Sequence, residues 1–398
     1  MSTTINDLSA QSPTTAEGVL DRVNALVEVL RSRAPETEKL RRVHPANIRD
    51  LTAAGVFRLP MPTDVGGYQA DDAIIHEVLS QIARGCPSTC WVASVIVSNN
   101  VIPALLPDSV ADEIYATPDL RMTGVGAPTG TATPVDGGYR VTGRWVWNTG
   151  GVHSNWLMLG AMTPTDDEPA MIMPLIPVSE VTHEDTWHAA GMAGTASNTV
   201  VATDVFVPAE RVASMANLAT GSYPARRYSD NPYFNRPFVM YVSVLSLPVF
   251  IGMARGAMDV FTKTLADRGQ IAYTNWTRAA EAPVLHHQLA KAQLDLETAE
   301  MFANRLLELY RNTLTQTPTI TERAQARAWL SRTARAARDC VNQLFEASSA
   351  SQILLSADLQ RYFRDTNTLY LHGAIQPTSS DELYGRILAG LEPNTEML

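Results

Sequence analysis

The sequence predicts a mainly α-helical protein with a central β segment. An N-terminal helical domain is expected over residues 1–118, a β-barrel or sandwich over 119–210, and a C-terminal helical bundle over 211–398. Three observations predict it. Before residue 118, apolar residues recur at helical spacing. From Arg121 to Pro208 Gly, Pro and Thr become frequent, and short runs alternate in polarity. Beyond that, Leu285, Leu289, Ala292, Leu296, Ala299, Ala303, Leu306 and Tyr310 repeat every three or four residues, with no Gly or Pro over 284–317. Such a run makes a helix of about eight turns with one bundle-type seam.

The elements follow in order. Glu17 to Arg33 carries Leu20, Val23, Val27 and Leu30 on one helical face. Pro45 to Phe57 reads as a second helix, ended by Gly55 and Pro60. Asp71 and Asp72 begin a third that runs to Arg84, and Gly85-Cys86-Pro87-Ser88 breaks it. Ser88 is the expected cap of a further apolar helix reaching Leu106. Tyr139 to Trp147 alternates with period two after an Asp136-Gly137-Gly138 turn. Asn155–Met162, Ala170–Ile176 and Thr199–Val207 are further strand candidates. Residues 209–231, with Pro224, Arg226 and Arg227, read as an irregular linker. Met240–Asp267 supplies a helix despite Pro248, and Thr319–His372 holds one long helix and part of another.

Composition narrows the function. A net charge of −10 argues against nucleic acid, since phosphate binding needs clustered cations. No basic run suits an anionic membrane surface, and no stretch is expected to reach the ~18 apolar residues that span a bilayer. Met1 to Thr15 is polar and lacks a basic-then-apolar signal pattern. Cys86, Cys90 and Cys340 are odd in number and do not pair by spacing into a disulfide framework or a zinc site. A reduced, cytoplasmic protein without a metal is expected. Gly124, Gly126 and Gly130 lack the spacing of a dinucleotide fingerprint, so nothing is built to bind NAD(P)H.

Four segments carry chemistry. Gly138 to Gly150 ends in Trp147-Asn148-Thr149-Gly150. Alone it reads as a β-hairpin with half-buried tryptophans. Trp187 to Thr199 gathers Gly191, Gly194, Thr195 and Ser197 and leads to Val205-Phe206-Val207-Pro208. Small residues there let a loop lie flat against a large ligand. Leu359-Gln360-Arg361-Tyr362-Phe363-Arg364-Asp365 precedes His372 by seven residues. Gly85-Cys86-Pro87-Ser88-Thr89-Cys90-Trp91 opens a helix.

Together these segments resemble the acyl-CoA dehydrogenase fold over nearly the whole chain. In that fold Arg364-Asp365 belongs to a helix whose following loop faces a flavin. Many dehydrogenases place a catalytic glutamate in this loop, whereas this chain has Leu371-His372-Gly373. A histidine there is similar to group D two-component flavin-dependent monooxygenases, and this implies a helical domain, a β domain and a four-helix bundle. It also implies reduced FAD or FMN, with FADH2 preferred, a separate NAD(P)H:flavin reductase, and O2 activated as a flavin C4a-hydroperoxide.

The resemblance assigns roles residue by residue. Thr149 bonds flavin N5, where Ser is more usual, and Trp147 packs the ring. His372 is the catalytic acid or base; unperturbed, it titrates near pH ~6.5. Gly194, Thr195 and Ser197 line the flavin loop, and Arg268 reaches the flavin phosphate of a neighbouring subunit. Trp91, Asn99, His153, Phe238 and Tyr370 join His372 around the substrate, with Tyr233, Phe234, Met240 and Tyr241 as further apolar walls. Several relatives carry a second histidine near position 99; here Ser98, Asn99 and Asn100 stand instead. The implied reaction is hydroxylation of an indole-like or polycyclic aromatic in bacterial secondary metabolism, by a homotetramer. An acyl-CoA dehydrogenase, an amino-sugar N-oxygenase and a flavin-free helical partner protein remain the alternatives.

Overall fold

The computed structural model describes residues 13–164, 170–223, 226–395 and 397–398. The N-terminal stretch up to residue 12, in which no signal pattern was read, and Pro224 of the expected linker lie outside them. Five helices come first: α1 (Ala16–Leu40), α2 (Pro45–Ala54), α3 (Asp72–Gly85), α4 (Pro87–Asn99) and α5 (Asp108–Tyr115). Thr15 caps α1 by accepting from Gly18 N–H, and Val19, Val23, Val27 and Leu30 are its buried stripe. The helix runs past Arg33 and through Pro35, and ends where Arg41 turns left-handed at φ 50°. Gly55, at φ 87°, stops α2. Asp71 caps α3 through Ala73 N–H.

The fourth helix corrects the sequence reading. Its first residue is Pro87, whose missing N–H is no loss in a first turn, and Ser88 is inside the helix rather than its cap. It ends at Asn99, seven residues before the expected Leu106, and a 3-10 turn over Ile102–Leu105 follows.

Among the described residues, seven strands make one curved sheet of order β5-β6-β2-β1-β3-β4-β7. They are β1 (Met122–Val135), β2 (Gly138–Asn148), β3 (Trp156–Met162), β4 (Met171–Pro177), β5 (Thr182–Glu184), β6 (Asn198–Pro208) and β7 (Val212–Ser214). The β1–β3 pair is parallel and the others are antiparallel. The expected barrel or sandwich is therefore a single sheet with β5 and β7 at its edges. It curls round Trp145, which is fully buried and donates Nε1–H to Gly160 O at 2.7 Å. Val141, Leu157, Leu159, Val200 and Val205 complete this core.

The stretch read as an irregular linker contains β7 and the short helix α6 (Met215–Thr220). Then come α7 (Phe238–Asp267), α8 (Pro283–Asn312), α9 (Ile320–Glu346), α10 (Leu359–Leu369) and α11 (Pro377–Leu388). The α8 seam is buried as its spacing predicts, with Leu289 only partly covered. A capping box between Thr319 and Glu322 starts α9. Helices from both ends of the chain share one core, centred on α7, which packs against α3, α4, α8, α9 and α10.

Two stretches, Pro87–Leu105 and Phe238–Asp267, are long and apolar enough to cross a membrane, contrary to expectation. Both are core elements here, 94% and 78% of their most apolar windows being buried.

Candidate active site

The first two turns of α4 collect three of the four segments singled out in the sequence. Ser88 abuts the glycine loop: a Cβ on Gly194 would lie 3.0 Å from Ser88 Cβ and 2.4 Å from Thr37 Cγ2 of α1. Val92 abuts the end of β2, where a Cβ on Gly150 would lie 2.8 Å from Val92 Cγ1. Trp91 meets His372 edge to face, with ring centroids 5.6 Å apart. Glycine at 150 and 194 is thus required by close approach to a helix.

At the end of β2 the register against β6 slips between Trp145 and Asn148. Trp147 sits in this irregularity at φ 65°, a conformation unfavourable for a bulky residue. A bulge of this kind re-aims side chains. The Trp147 indole points outward, 70% exposed, while Thr149 two residues on is buried. Thr149 Oγ1 lies 2.8 Å from Ser197 Oγ, and Ser197 Oγ lies 2.8 Å from Thr195 Oγ1. Thr195 Oγ1 donates to Met192 O at 2.9 Å. Gly150 N–H donates to Thr195 O at 3.0 Å and joins the two segments through backbone as well.

The loop is held from α10. Asp365 Oδ1 accepts from Met192 N–H at 2.5 Å. Arg364 donates to Ala190 O at 2.6 Å and to Glu38 Oε1 at 2.5 Å. Burial, aided by the nearby Glu38 charge, pushes the Asp365 carboxyl up to about 7 against the pull of the Met192 N–H. The Arg-Asp pair therefore acts as a clasp on the glycine loop and not as an ion pair with itself.

His372 stands in the turn between α10 and α11. Its Nδ1 accepts from Ala374 N–H at 3.3 Å. Solvent reaches the side chain, yet surrounding protein removes enough water to lower its pKa below the usual histidine value.

The other expected site residues have these surroundings. Gly194, Thr195 and Ser197 are buried behind Thr149, packed on α1 and α4, and do not form an open surface of the loop. Left-handed backbone at Met192 and Ala196, φ 52° and 46°, shapes this loop. Phe238 is buried with Tyr241 and Tyr310 around Arg236 in a small cleft beside Val101 and Leu105. Tyr370 is covered by Arg338, whose guanidinium lies 4.7 Å from the ring centroid. Arg268 donates to Ala347 O at the end of α9. His153 has a buried, unpaired Nε2, and burial with Arg42 and Arg121 nearby lowers its pKa to about 4. Asn99 donates to Val95 O and leaves Oδ1 unpaired near Gly124. Asn100 is structural, bonding Phe57 O, Leu120 O and Met122 N–H. Sequence reasoning missed Met192, because its part is played by a backbone carbonyl that no residue type announces.

The residues at the end of β2 fit a flavin. An exposed indole stands beside a buried hydroxyl, and the fold places a glycine immediately after it. Residues 244–377 match the family described as "Acyl-CoA dehydrogenase, C-terminal domain". The chain is 32% identical to the flavin-dependent monooxygenase oxygenase subunit HsaA of Rhodococcus jostii, over 92% of this chain and 97% of that protein. It is 28% identical to the FADH(2)-dependent resorcinol hydroxylase oxygenase component of a Rhizobium species, over 94% and 95% of the two chains. The structure of XiaF from Streptomyces, in complex with FADH2 and glycerol, superposes with a TM-score of 0.87 at 28% identity, covering 96% of this chain and 97% of that one. The chain belongs to the flavin-dependent monooxygenases, as an oxygenase component built on the acyl-CoA dehydrogenase fold.

Proposed function

We propose that this oxygenase hydroxylates a fused-ring or indole-type aromatic in a cleft between Trp147 and Thr149 on one side and Trp91 and His372 on the other. The single observation behind this reading is the gathering of all three motifs on the first turns of α4. Bound reduced FAD or FMN supplies two electrons, so that one atom of O2 enters the substrate and the other leaves as water. Thr149 bonds N5 and Trp147 covers the ring, and together they keep water from that edge. Trp91 offers an aromatic face to the substrate.

His372 holds or moves a proton at Nε2. Because Nδ1 accepts from Ala374 N–H, the neutral ring carries its hydrogen on Nε2, as assigned from this bond. With its pKa lowered, the ring is neutral near pH 7 and presents Nε2–H as a donor toward the substrate.

The electrons are proposed to arrive with flavin reduced by a separate reductase. A homotetramer is proposed as well; Leu294 and Met301, on the face of α8 away from the seam, are 61% and 62% exposed. Three free, buried cysteines are in keeping with a reducing, cytoplasmic setting.

The test is reconstitution. The purified chain with NADH and FAD is expected to be inert, and hydroxylation of indole or naphthol substrates is expected once a flavin reductase is added. NADH-driven product from the chain without reductase would sink the reading.

A further inference from the structure

Three hydroxyls in series end on an atom that can only accept. Thr195 Oγ1 donates to the Met192 carbonyl at 2.9 Å. A hydroxyl has one proton, so Thr195 has none left for Ser197, and Ser197 must be the donor in that 2.8 Å pair. By the same count Ser197 has none left for Thr149, and Thr149 must donate to Ser197. The order is Thr149 to Ser197 to Thr195 to Met192 O. Thr149 then has only lone pairs to offer any further partner.

We infer that Ser197 and Thr195 are positioning residues that fix Thr149 as a hydrogen-bond acceptor and so make the site select reduced over oxidised flavin. Reduced flavin carries a hydrogen on N5 and donates it. Oxidised flavin has a bare N5 that needs a donor. This inference rests on the reading that Thr149 meets N5.

The relay is built to keep its direction. Its three hydroxyl residues are 8%, 4% and 0% exposed in the order Thr149, Ser197, Thr195, so water does not compete along it. The Met192 carbonyl is held in place by Asp365, which accepts from the N–H of the same residue at 2.5 Å. Trp187 Nε1 also donates to Met192 O, at 2.9 Å. Reversing the relay so that Thr149 donates outward gives up the bond from Thr195 to Met192 O and gains none within the protein. One net hydrogen bond corresponds to roughly a 2- to 12-fold bias.

The experiment measures dissociation constants for oxidised FAD in air and for reduced FAD under anaerobic conditions, with the full chain. Wild type is expected to bind reduced FAD more tightly. Ser197→Ala frees the Thr149 proton, and Thr195→Val, near-isosteric, frees the Ser197 proton. Each is expected to lower the oxidised-to-reduced ratio of dissociation constants by roughly 2- to 12-fold, mainly by tightening oxidised FAD. Two independent variants keep the test decisive if one fails to fold. A merely structural role would weaken both forms equally and leave the ratio unchanged. Thr149→Val separates the two levels of argument. If it alters the ratio while Ser197→Ala and Thr195→Val do not, the relay is overturned and the N5 assignment stands. If it leaves binding of both forms unchanged, Thr149 does not meet N5 and both fall.

Discussion

Thr149 and His372, the two residues proposed to meet flavin and substrate, are supported in opposite ways. Behind Thr149 each hydroxyl is bonded to the next until the relay reaches a carbonyl, and the loop beneath is clasped by α10. The His372 ring has one long contact to its own turn and an edge contact with Trp91, and its neighbour Leu371 is 70% exposed. The difference has a physical sense. A cofactor of fixed shape is served by preorganised groups that need no rearrangement at the moment of reaction. A substrate wall made from a turn can adjust to different rings. The comparison predicts that damage on the hydroxyl side shows as altered flavin affinity and stability, and damage on the histidine side as lost turnover with flavin affinity kept.

The largest effect is expected at the clasp. Asp365 has a folded pKa of about 7 against an ordinary value of 3.8, so the folded state holds this proton more tightly than the unfolded chain does. Stability from this group is complete below the unfolded value and is lost as pH rises through the folded one. Asp365→Asn keeps an acceptor for Met192 N–H without the buried charge. Wild type should therefore lose stability relative to Asp365→Asn by up to about 4 kcal/mol between pH 4 and 7. Urea melts of both proteins across that range measure it. Parallel curves would show that the clasp carries no linked proton.

Next comes the other wall. His372→Ala should lower turnover by about 10²-fold, or about 2.7 kcal/mol of barrier, if Nε2 moves or holds a proton in the reaction. Affinity for reduced FAD should change by less than about twofold, since the relay is untouched. Equal losses in both would erase the distinction between the two walls. A smaller effect is expected from Gly194→Ala, whose Cβ would meet Thr37 Cγ2 at 2.4 Å. Overpacking of this kind costs about 1–3 kcal/mol. Chemical denaturation reads the cost, and flavin affinity should fall with it because the loop carries Ser197. An unchanged midpoint would mean that α1 yields to the loop.

The sequence made the long elements readable and left their junctions hidden. The α8 seam and the β2 alternation need only local periodicity, and both lie where the spacing puts them. The long first strand was not foreseen. Gly124, Gly126, Pro128, Gly130 and Pro134 are poor strand formers, and β1 exists because β2 and β3 flank it on both sides. At the site, the grouping of Trp91 with His372 was foreseen from the resemblance, as was the proximity of Thr149 to the glycine loop. The inward facing of Thr195 and Ser197 was not, because left-handed turns at Met192 and Ala196 decide it, and neither residue type signals φ above zero. An aromatic at the start of an apolar helix likewise does not reveal that Phe238 lines a cleft with Tyr241, Tyr310 and Arg236.

The smallest effect concerns the proton on His372 and sharpens the contrast between the walls. Desolvation lowers its pKa below 6.5, so the ring is neutral at pH 7 and becomes a cation only in more acidic solution. On protonation Nδ1 gains a hydrogen and can no longer accept from Ala374 N–H. The turn then loses the contact that orients the ring. Turnover with a saturating aromatic substrate should therefore be flat around neutrality and fall on the acid side, with its inflection below the ordinary histidine value. The same inflection should be missing from the residual activity of His372→Ala. Binding of reduced FAD should show no matching step, because hydroxyls do not titrate in this range. His153 is the competing candidate for such a step, since burial with Arg42 and Arg121 nearby lowers its pKa to about 4. An acid limb retained in His372→Ala would transfer the pH dependence to His153 and leave the turn histidine as a packing residue.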